Sequence, residues 1–225
     1  MAIPVYLEVG AKRTFASAAE WPGWARSGRD EASALQALLD YGPRYARAIR
    51  PAQLGFDAPK VVSEFKVVER LKGDMTTDFG TPGRVPKEDA AAVGEEELLR
   101  LEKILKACWR TFYATAAGAQ GKTLSTGPRG GGRDLAKITR HVLDAQHAYV
   151  RKLGWSVAPE WKSPEEAWKD TSKGLTASAH GELPRQGPRG GVYWPAQYFV
   201  RRAAWHLLDH AWEVEDRGRR FTISE

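Results

Sequence analysis

Several features are scarce in this chain of 225 residues, which contains one cysteine, two methionines and no long apolar run. A single cysteine excludes an intramolecular disulfide, and the apolar helical pattern around Cys108 favours a buried structural thiol over a nucleophile. No segment reaches the roughly 18 consecutive apolar residues of a membrane span. The opening sequence, MAIPVYLEVG, lacks the basic region and apolar core of a secretory signal. These absences predict a cytoplasmic protein without a membrane partner.

Charge of one sign is not concentrated anywhere in the chain either. The 34 Lys and Arg residues against 28 Asp and Glu residues give a formal net charge of +6, with the basic residues dispersed. Dispersed charge is typical of a solvated surface, and this interpretation is favoured over nucleic-acid binding. Tryptophan, in contrast, is abundant. Nine such residues and 42% hydrophobic content predict a well-filled core or a pocket lined with aromatic rings.

Residues 1–72 have the pattern of a small module that combines strands with one helix. Alternating side chains predict a strand over Val5–Val9, a return strand over Arg13–Ala18 and a last strand over Val61–Leu71. Asp30 has the side chain and the position of a helix N-cap, because an apolar helical stripe follows it.

The stretch FASAAEWPGWARSGRDEASALQALL resembles the HicB antitoxin-like domain. The matching residues are Trp21, Pro22, Gly23, Gly28, Asp30, Glu31 and Ala32. The resemblance implies a small sandwich-like module that makes protein contacts and has no chemistry of its own. The alternative is a folded cap that packs on the rest of the chain. No toxin partner or DNA-binding segment is visible, so antitoxin function does not follow from the resemblance.

The remainder of the chain divides into a spacer, a set of helices and a tail. Residues 73–93 hold Gly and Pro but few large apolar residues, which predicts a linker or a long surface loop. Four helices are predicted within residues 94–217, over Glu95–Ala117, Arg133–Leu153, Pro164–Ser178 and Trp194–Arg217. Gly218 is a plausible stop for the last one, which leaves residues 218–225 as a tail. The fold class is therefore α+β.

Two histidines on the last predicted helix are the first candidates for chemistry. His206 and His210 are four residues apart and share a face that is otherwise apolar. Two imidazoles at this spacing stand one turn above the other and can bind one metal ion. The pair alone is a weak signal, and two hydrogen-bonded core histidines are the alternative.

A third ligand has to come from another helix. Of the remaining histidines, His180 lies in a loop-like segment, and His147 lies on a different helix face from His141. Ile138 and Val142 place His141 in an inward-facing stripe. We therefore expect His141 to face the core of a helix bundle.

The sequence GRDLAKITRHVLDAQHAYVRKLGW, followed by WHLLDHAWEVEDR, resembles the DinB-like superfamily. The resemblance implies a four-helix metal-binding bundle over residues 94–217, with His141, His206 and His210 as the ligands. Members of this superfamily include transferases and isomerases that use a low-molecular-weight thiol such as mycothiol or bacillithiol. The resemblance thus implies a metal-dependent thiol transferase or isomerase. The alternative is a non-catalytic metal-binding protein whose HicB-like module recruits a partner.

Three neutral imidazoles leave an open position on a divalent ion, which is the arrangement of catalytic sites rather than structural ones. Zn²⁺ is the first choice of metal, with Ni²⁺ and Fe²⁺ as alternatives. Glu213 and Asp144 each lie three residues after a candidate ligand, so either could orient an imidazole or move a proton. Ordinary salt bridges are the alternative for both.

The two Gly-Pro-Arg-Gly-Gly segments, which precede the helices that carry the histidines, contain Arg129 and Arg189. These arginines could hold the carboxylate of a substrate or thiol cofactor, although flexible basic loops at the rim of the bundle are the simpler interpretation. Trp205, Trp212 and Tyr149 could line the pocket. A bundle with exposed aromatic residues also allows a homodimer.

Overall fold

The computed structural model describes residues 2–126 and 132–219, which form an α+β fold with one four-stranded sheet. The strands are β1 (Ile3–Val9), β2 (Thr14–Ala18), β3 (Ala25–Gly28) and β4 (Phe65–Lys72). Their order is β3-β2-β1-β4, with β1 antiparallel to β2 and parallel to β4. A parallel neighbour requires a crossover connection, and the helix α1 (Glu31–Ile49) lies in that connection.

Helix α1 begins as the sequence predicts. The Asp30 carboxylate accepts a hydrogen bond from the backbone N–H of Ser33 at 2.8 Å. In return, the Ser33 hydroxyl oxygen accepts one from the backbone N–H of Asp30. This reciprocal cap satisfies backbone groups that the first helical turn leaves unpaired. The helix then continues through Pro43 to Ile49, so the Gly42-Pro43 pair does not end it.

The segment 73–93, predicted as a linker or surface loop, is packed on the sheet and on the last helix. It contains the short helix α2 (Met75–Asp78) and a 3₁₀ turn (Lys87–Ala90). The buried carboxylate of Glu8 on β1 accepts hydrogen bonds from the N–H of Gly83 at 2.9 Å and from the Thr77 hydroxyl. Residues 73–93 are thus attached to β1 and the last helix by hydrogen bonds to residues that are distant in the sequence.

Four long helices follow, close to the predicted bounds: α3 (Glu95–Gly118), α4 (Leu135–Lys152), α5 (Pro164–Ala179) and α6 (Ala196–Arg219). Ser163 caps α5 by accepting a hydrogen bond from the N–H of Glu166 at 3.2 Å. Gly218 does not end α6, which runs on to Arg219. None of the helices in the described residues has both the length and the hydropathy needed to cross a bilayer.

Helix α6 packs against α3, α4 and the sheet, so one apolar core runs through both halves of the chain. Gly23, in the turn before β3, has φ +92° and lies so close to α6 that an added Cβ would be 2.8 Å from the Cβ of Ala204. Arg26 on β3 pairs with Asp209 on α6 at 2.9 Å. Arg44 on α1 pairs with Glu215 at 2.6 Å. The sheet and α1 thus both contact the helix that carries two of the candidate ligands.

Candidate metal centre

Helices α4 and α6 bring the three predicted ligands together. His206 and His210 lie one turn apart on α6, and His141 faces them from α4 between the fully buried side chains of Ile138 and Val142. The ring centroids of His206 and His210 are 4.6 Å apart. The His141 ring lies 5.1 Å from the first and 5.0 Å from the second. One potential ligand atom from each ring lies within 4.8 Å of the other two.

The closest approach in this group joins two ring nitrogens. Nε2 of His206 is 3.3 Å from Nε2 of His141. Two imidazole nitrogens that bind one tetrahedral Zn²⁺ at its usual bond length are about 3.3–3.4 Å apart. This separation is therefore close to the one that a shared ion requires.

Burial keeps two of these rings in the state that binds metals. The pKa of His206, which is 6% exposed, lies well below its usual value, chiefly because of burial and then because of the charges of His210 and Arg202. Burial is also the main cause of the lowered pKa of His141, followed by the charge of His210. A neutral imidazole has a free lone pair on one nitrogen, which is what a divalent ion needs.

Glu213 fixes the third ring. Nδ1 of His210 lies 2.8 Å from one Glu213 oxygen, and the Arg217 guanidinium donates to the other oxygen at 2.8 Å. The hydrogen bond from His210, with the Arg217 contacts, lowers the pKa of Glu213 to about 2 despite its partial burial. The carboxylate can only accept, so Nδ1 of His210 bears a proton, and a neutral ring would therefore have its lone pair on Nε2. Such an acidic group orients the ring well but is a weak base for proton transfer.

Arg217 was not identified from the sequence. Its side chain is 3% exposed and also donates to the carbonyl oxygens of Ser125 and Arg133, both at 2.7 Å. It therefore connects the carboxylate beside His210 to the chain that leads into α4. The one available sequence signal was its spacing of four residues from Glu213, which allows an ion pair on a helix.

The donor set of the group fits a divalent ion. With Nε2 of His206 toward His141, the buried Nδ1 is the nitrogen that bears the proton, and it has no hydrogen-bond partner among the residues that the structure describes. A buried N–H of this kind calls for an acceptor such as a water. Within the described ranges, the group contains three imidazoles and no carboxylate or thiol, so the donor set leaves room for an exogenous ligand.

The other predicted site residues lie elsewhere. Asp144 is exposed on the outer side of α4, where its carboxylate pairs with Arg140 at 3.2 Å. The structure thus places it in a surface ion pair, as in the simpler of its two interpretations, and not beside the imidazoles. Arg189 is exposed in a loop in which the backbone N–H of Gly187 donates a hydrogen bond to the carbonyl oxygen of Gly191 at 2.8 Å. Arg129 lies outside the described residues.

The remaining reactive side chains are accounted for by local contacts. His147 hydrogen-bonds the Ala158 carbonyl at 2.8 Å, and the exposed His180 pairs with Glu95 at 2.8 Å. Neither joins the three clustered imidazoles, as expected. Cys108 is completely buried, and burial raises its thiol pKa, which agrees with a structural role.

Aromatic rings surround His206 on two sides. The ring centroid of Tyr149 is 5.6 Å from that of His206, and that of Trp205 is 6.2 Å away. Trp212 packs instead against Tyr41 on α1, with a centroid separation of 5.0 Å. Two of the three aromatic residues suggested for the pocket therefore lie next to the imidazoles.

Comparison of the chain with protein-family models, curated proteins and solved structures finds no match. The DinB-like and HicB-like resemblances accordingly rest on the sequence motifs that carry them.

Proposed function

We propose that the protein is a divalent-metal-dependent enzyme of the DinB-like type that uses a low-molecular-weight thiol to transfer or isomerise a small molecule. The observation that carries this proposal is the convergence of three imidazoles from two helices, with no protein carboxylate or thiol in the group among the described residues. Three protein ligands are typical of catalytic sites, in which the remaining position takes water or substrate.

A bound divalent ion would lower the pKa of a water or a thiol in that remaining position. The chain contributes the geometry. His141, His206 and His210 hold the ion, and burial keeps the first two neutral at physiological pH. Glu213 holds the His210 ring with Nε2 toward the other two rings, and Arg217 holds Glu213. This division assigns Glu213 to positioning rather than to proton transfer.

The first test is the metal content of the purified protein by elemental analysis. We expect a single ion per chain, lost in His206→Ala and retained in His180→Ala, which alters an exposed imidazole outside the cluster. Zn²⁺ at about 100 times its dissociation constant should also stabilise the wild-type fold by about 2.7 kcal/mol. Equal metal content in the two variants would show that His206 does not bind the metal and would contradict the proposed site.

The second test concerns turnover. The metal-loaded protein is incubated with small thiols and a panel of electrophiles, and thiol consumption is compared with that of His206→Ala. Metal-dependent consumption supports the proposed class of enzyme. Stoichiometric metal binding without any consumption would instead favour the non-catalytic protein whose N-terminal module recruits a partner.

A further inference from the structure

Arg202 on α6 is a cation without a counter-charge. No carboxylate lies within 4.0 Å of it among the described residues, and its buried Nη1 atom has no hydrogen-bond partner there. Two other arginines of α6 differ in this respect. Arg201 pairs with Asp89 at 2.8 Å, and Arg217 pairs with Glu213. A buried N–H of a charged group without an acceptor costs free energy, and an anion that accepts a hydrogen bond from it would remove that cost.

Two aromatic rings hold the Arg202 guanidinium in place. Its central carbon is 4.8 Å from the ring centre of Trp205 and 5.4 Å from that of Tyr149. Stacking on aromatic faces fixes the plane of a guanidinium and leaves the N–H groups on its edge available. An edge of this kind can donate two parallel hydrogen bonds to one carboxylate.

The same two rings connect Arg202 to the candidate metal centre. Both pack against His206, and Arg202 itself lies four residues before His206 on α6. Four residues of α-helix span about 6 Å. Arg202 and His206 therefore lie about one helical turn apart on α6, and the rings of Tyr149 and Trp205 pack against both side chains.

A small cavity adjoins the guanidinium on the side of the sheet. It has a volume of about 20 Å³, and its wall includes Arg202, Arg84 and Tyr198. That volume admits one group of the size of a water molecule or a carboxylate oxygen. Arg84 is already paired with Asp74 at 3.6 Å, and Arg201, also in the wall, is paired with Asp89, so Arg202 is the one arginine of this wall without a carboxylate partner among the described residues.

We infer that Arg202 binds the carboxylate of the small molecule whose other end reaches the three imidazoles. The inference rests on the proposed function and adds the class of substrate to it: an organic acid whose anionic group is separated by several bonds from its metal-binding atom. This proposal places carboxylate binding at an arginine beside the candidate metal centre, whereas the sequence allowed it at Arg129 or Arg189.

The test uses protein loaded with Co²⁺ and two thiols of equal length, 6-mercaptohexanoate and 6-mercaptohexan-1-ol. Thiolate-to-cobalt absorbance measures the affinity for each. We expect the acid to bind about 10-fold to 100-fold more tightly than the alcohol in the wild type, the range of a hydrogen bond to a charged group. Arg202→Met, which keeps an apolar stem between the rings, should remove the preference and leave the alcohol affinity unchanged.

The exposed Arg110→Met on α3 is the matched control and should keep the full preference. Arg202→Lys, which retains the charge without the planar fork, should show an intermediate preference. Equal affinities for the two thiols in the wild type, or an undiminished preference in Arg202→Met, would overturn the assignment.

A second measurement separates this inference from the proposed function. If neither thiol binds cobalt in the wild type, the proposed thiol chemistry is contradicted. Carboxylate binding by Arg202 is then tested on the metal-free protein. Hexanoate should then raise the melting temperature more than hexan-1-ol does, and Arg202→Met should abolish the difference. The absence of a difference in the wild type would rule out the carboxylate site as well.

Discussion

Glu213 decides which nitrogen of His210 is available. Its carboxylate accepts a hydrogen bond from Nδ1 of His210, with 2.8 Å between nitrogen and oxygen, and this leaves Nε2 as the nitrogen available to a metal. A carboxylate beside a ligand histidine also makes the ring a stronger donor to a metal. Because the pKa of Glu213 is lowered to about 2, this hydrogen bond to an ionised acceptor persists throughout the neutral pH range.

Glu213→Gln should therefore weaken metal binding. The amide keeps the size of the side chain but loses the charge that stabilises the imidazole as a donor, so we expect a roughly 10-fold to 100-fold loss of Zn²⁺ affinity. Competition with a chromophoric chelator measures the change. Asp144→Asn is the control, because Asp144 is also three residues from a ligand but pairs with Arg140 at the surface. Similar losses in both variants would contradict the positioning role.

These two carboxylates also show how far sequence reasoning reaches at the site. The spacing of His206 and His210 and the inward stripe of α4 were sufficient to select the three histidines that the fold brings together. Glu213 and Asp144 could not be separated, because both have the same spacing from a histidine. Only packing distinguishes them: α6 is surrounded by other elements, whereas Asp144 lies on a face of α4 open to solvent.

Among the helices and strands, predictions succeeded where the signal is local. Caps and apolar stripes placed the limits of α3 to α6 within about two residues, which is ordinary for such boundaries. The segment 73–93 has no apolar period, and it is attached by polar contacts with remote residues, such as Gly83 with Glu8 and Asp89 with Arg201. Contacts between residues so distant along the chain leave no periodic signal in a single sequence.

The turn before β3 offers a test of how closely the sheet approaches α6. Gly23 has φ +92°, and a Cβ there would lie 2.8 Å from Ala204. Gly55 has a comparable φ of +72° but nothing within 4 Å. Gly55→Ala should lose about 1–2 kcal/mol of stability from backbone strain alone. Gly23→Ala should lose a further 1–3 kcal/mol or so, because the overpacked contact has to be relieved as well.

Urea unfolding followed by circular dichroism measures both variants. The difference between them isolates the steric contact from the shared conformational strain. If Gly23→Ala were no less stable than Gly55→Ala, the sheet and α6 would not be in the tight contact described here.

The two halves of the chain meet along α6, so the geometry of the imidazoles depends on both. Arg26 and Arg44 from the N-terminal half pair with Asp209 and Glu215 on α6, and the apolar core is continuous beneath them. The segment 73–93 adds a contact of a different kind. The two oxygens of the fully buried Asp89 share the Nε–H of Arg201, at 2.9 and 2.8 Å from the nitrogen.

Removing one partner of that ion pair should be costly throughout the fold. Asp89→Ala leaves the Arg201 guanidinium buried without its counter-charge, so we expect a loss of about 3–5 kcal/mol in urea unfolding. Glu31→Ala breaks the exposed pair with Arg70 and should cost less than about 1 kcal/mol. The double variant Asp89→Leu with Arg201→Met removes both charges and should recover much of the loss, because desolvation then no longer opposes folding. If Asp89→Ala lost no more stability than Glu31→Ala, the buried ion pair with Arg201 would not stabilise the fold. Residues 73–93 would then be a dispensable loop that does not stabilise α6 near His206.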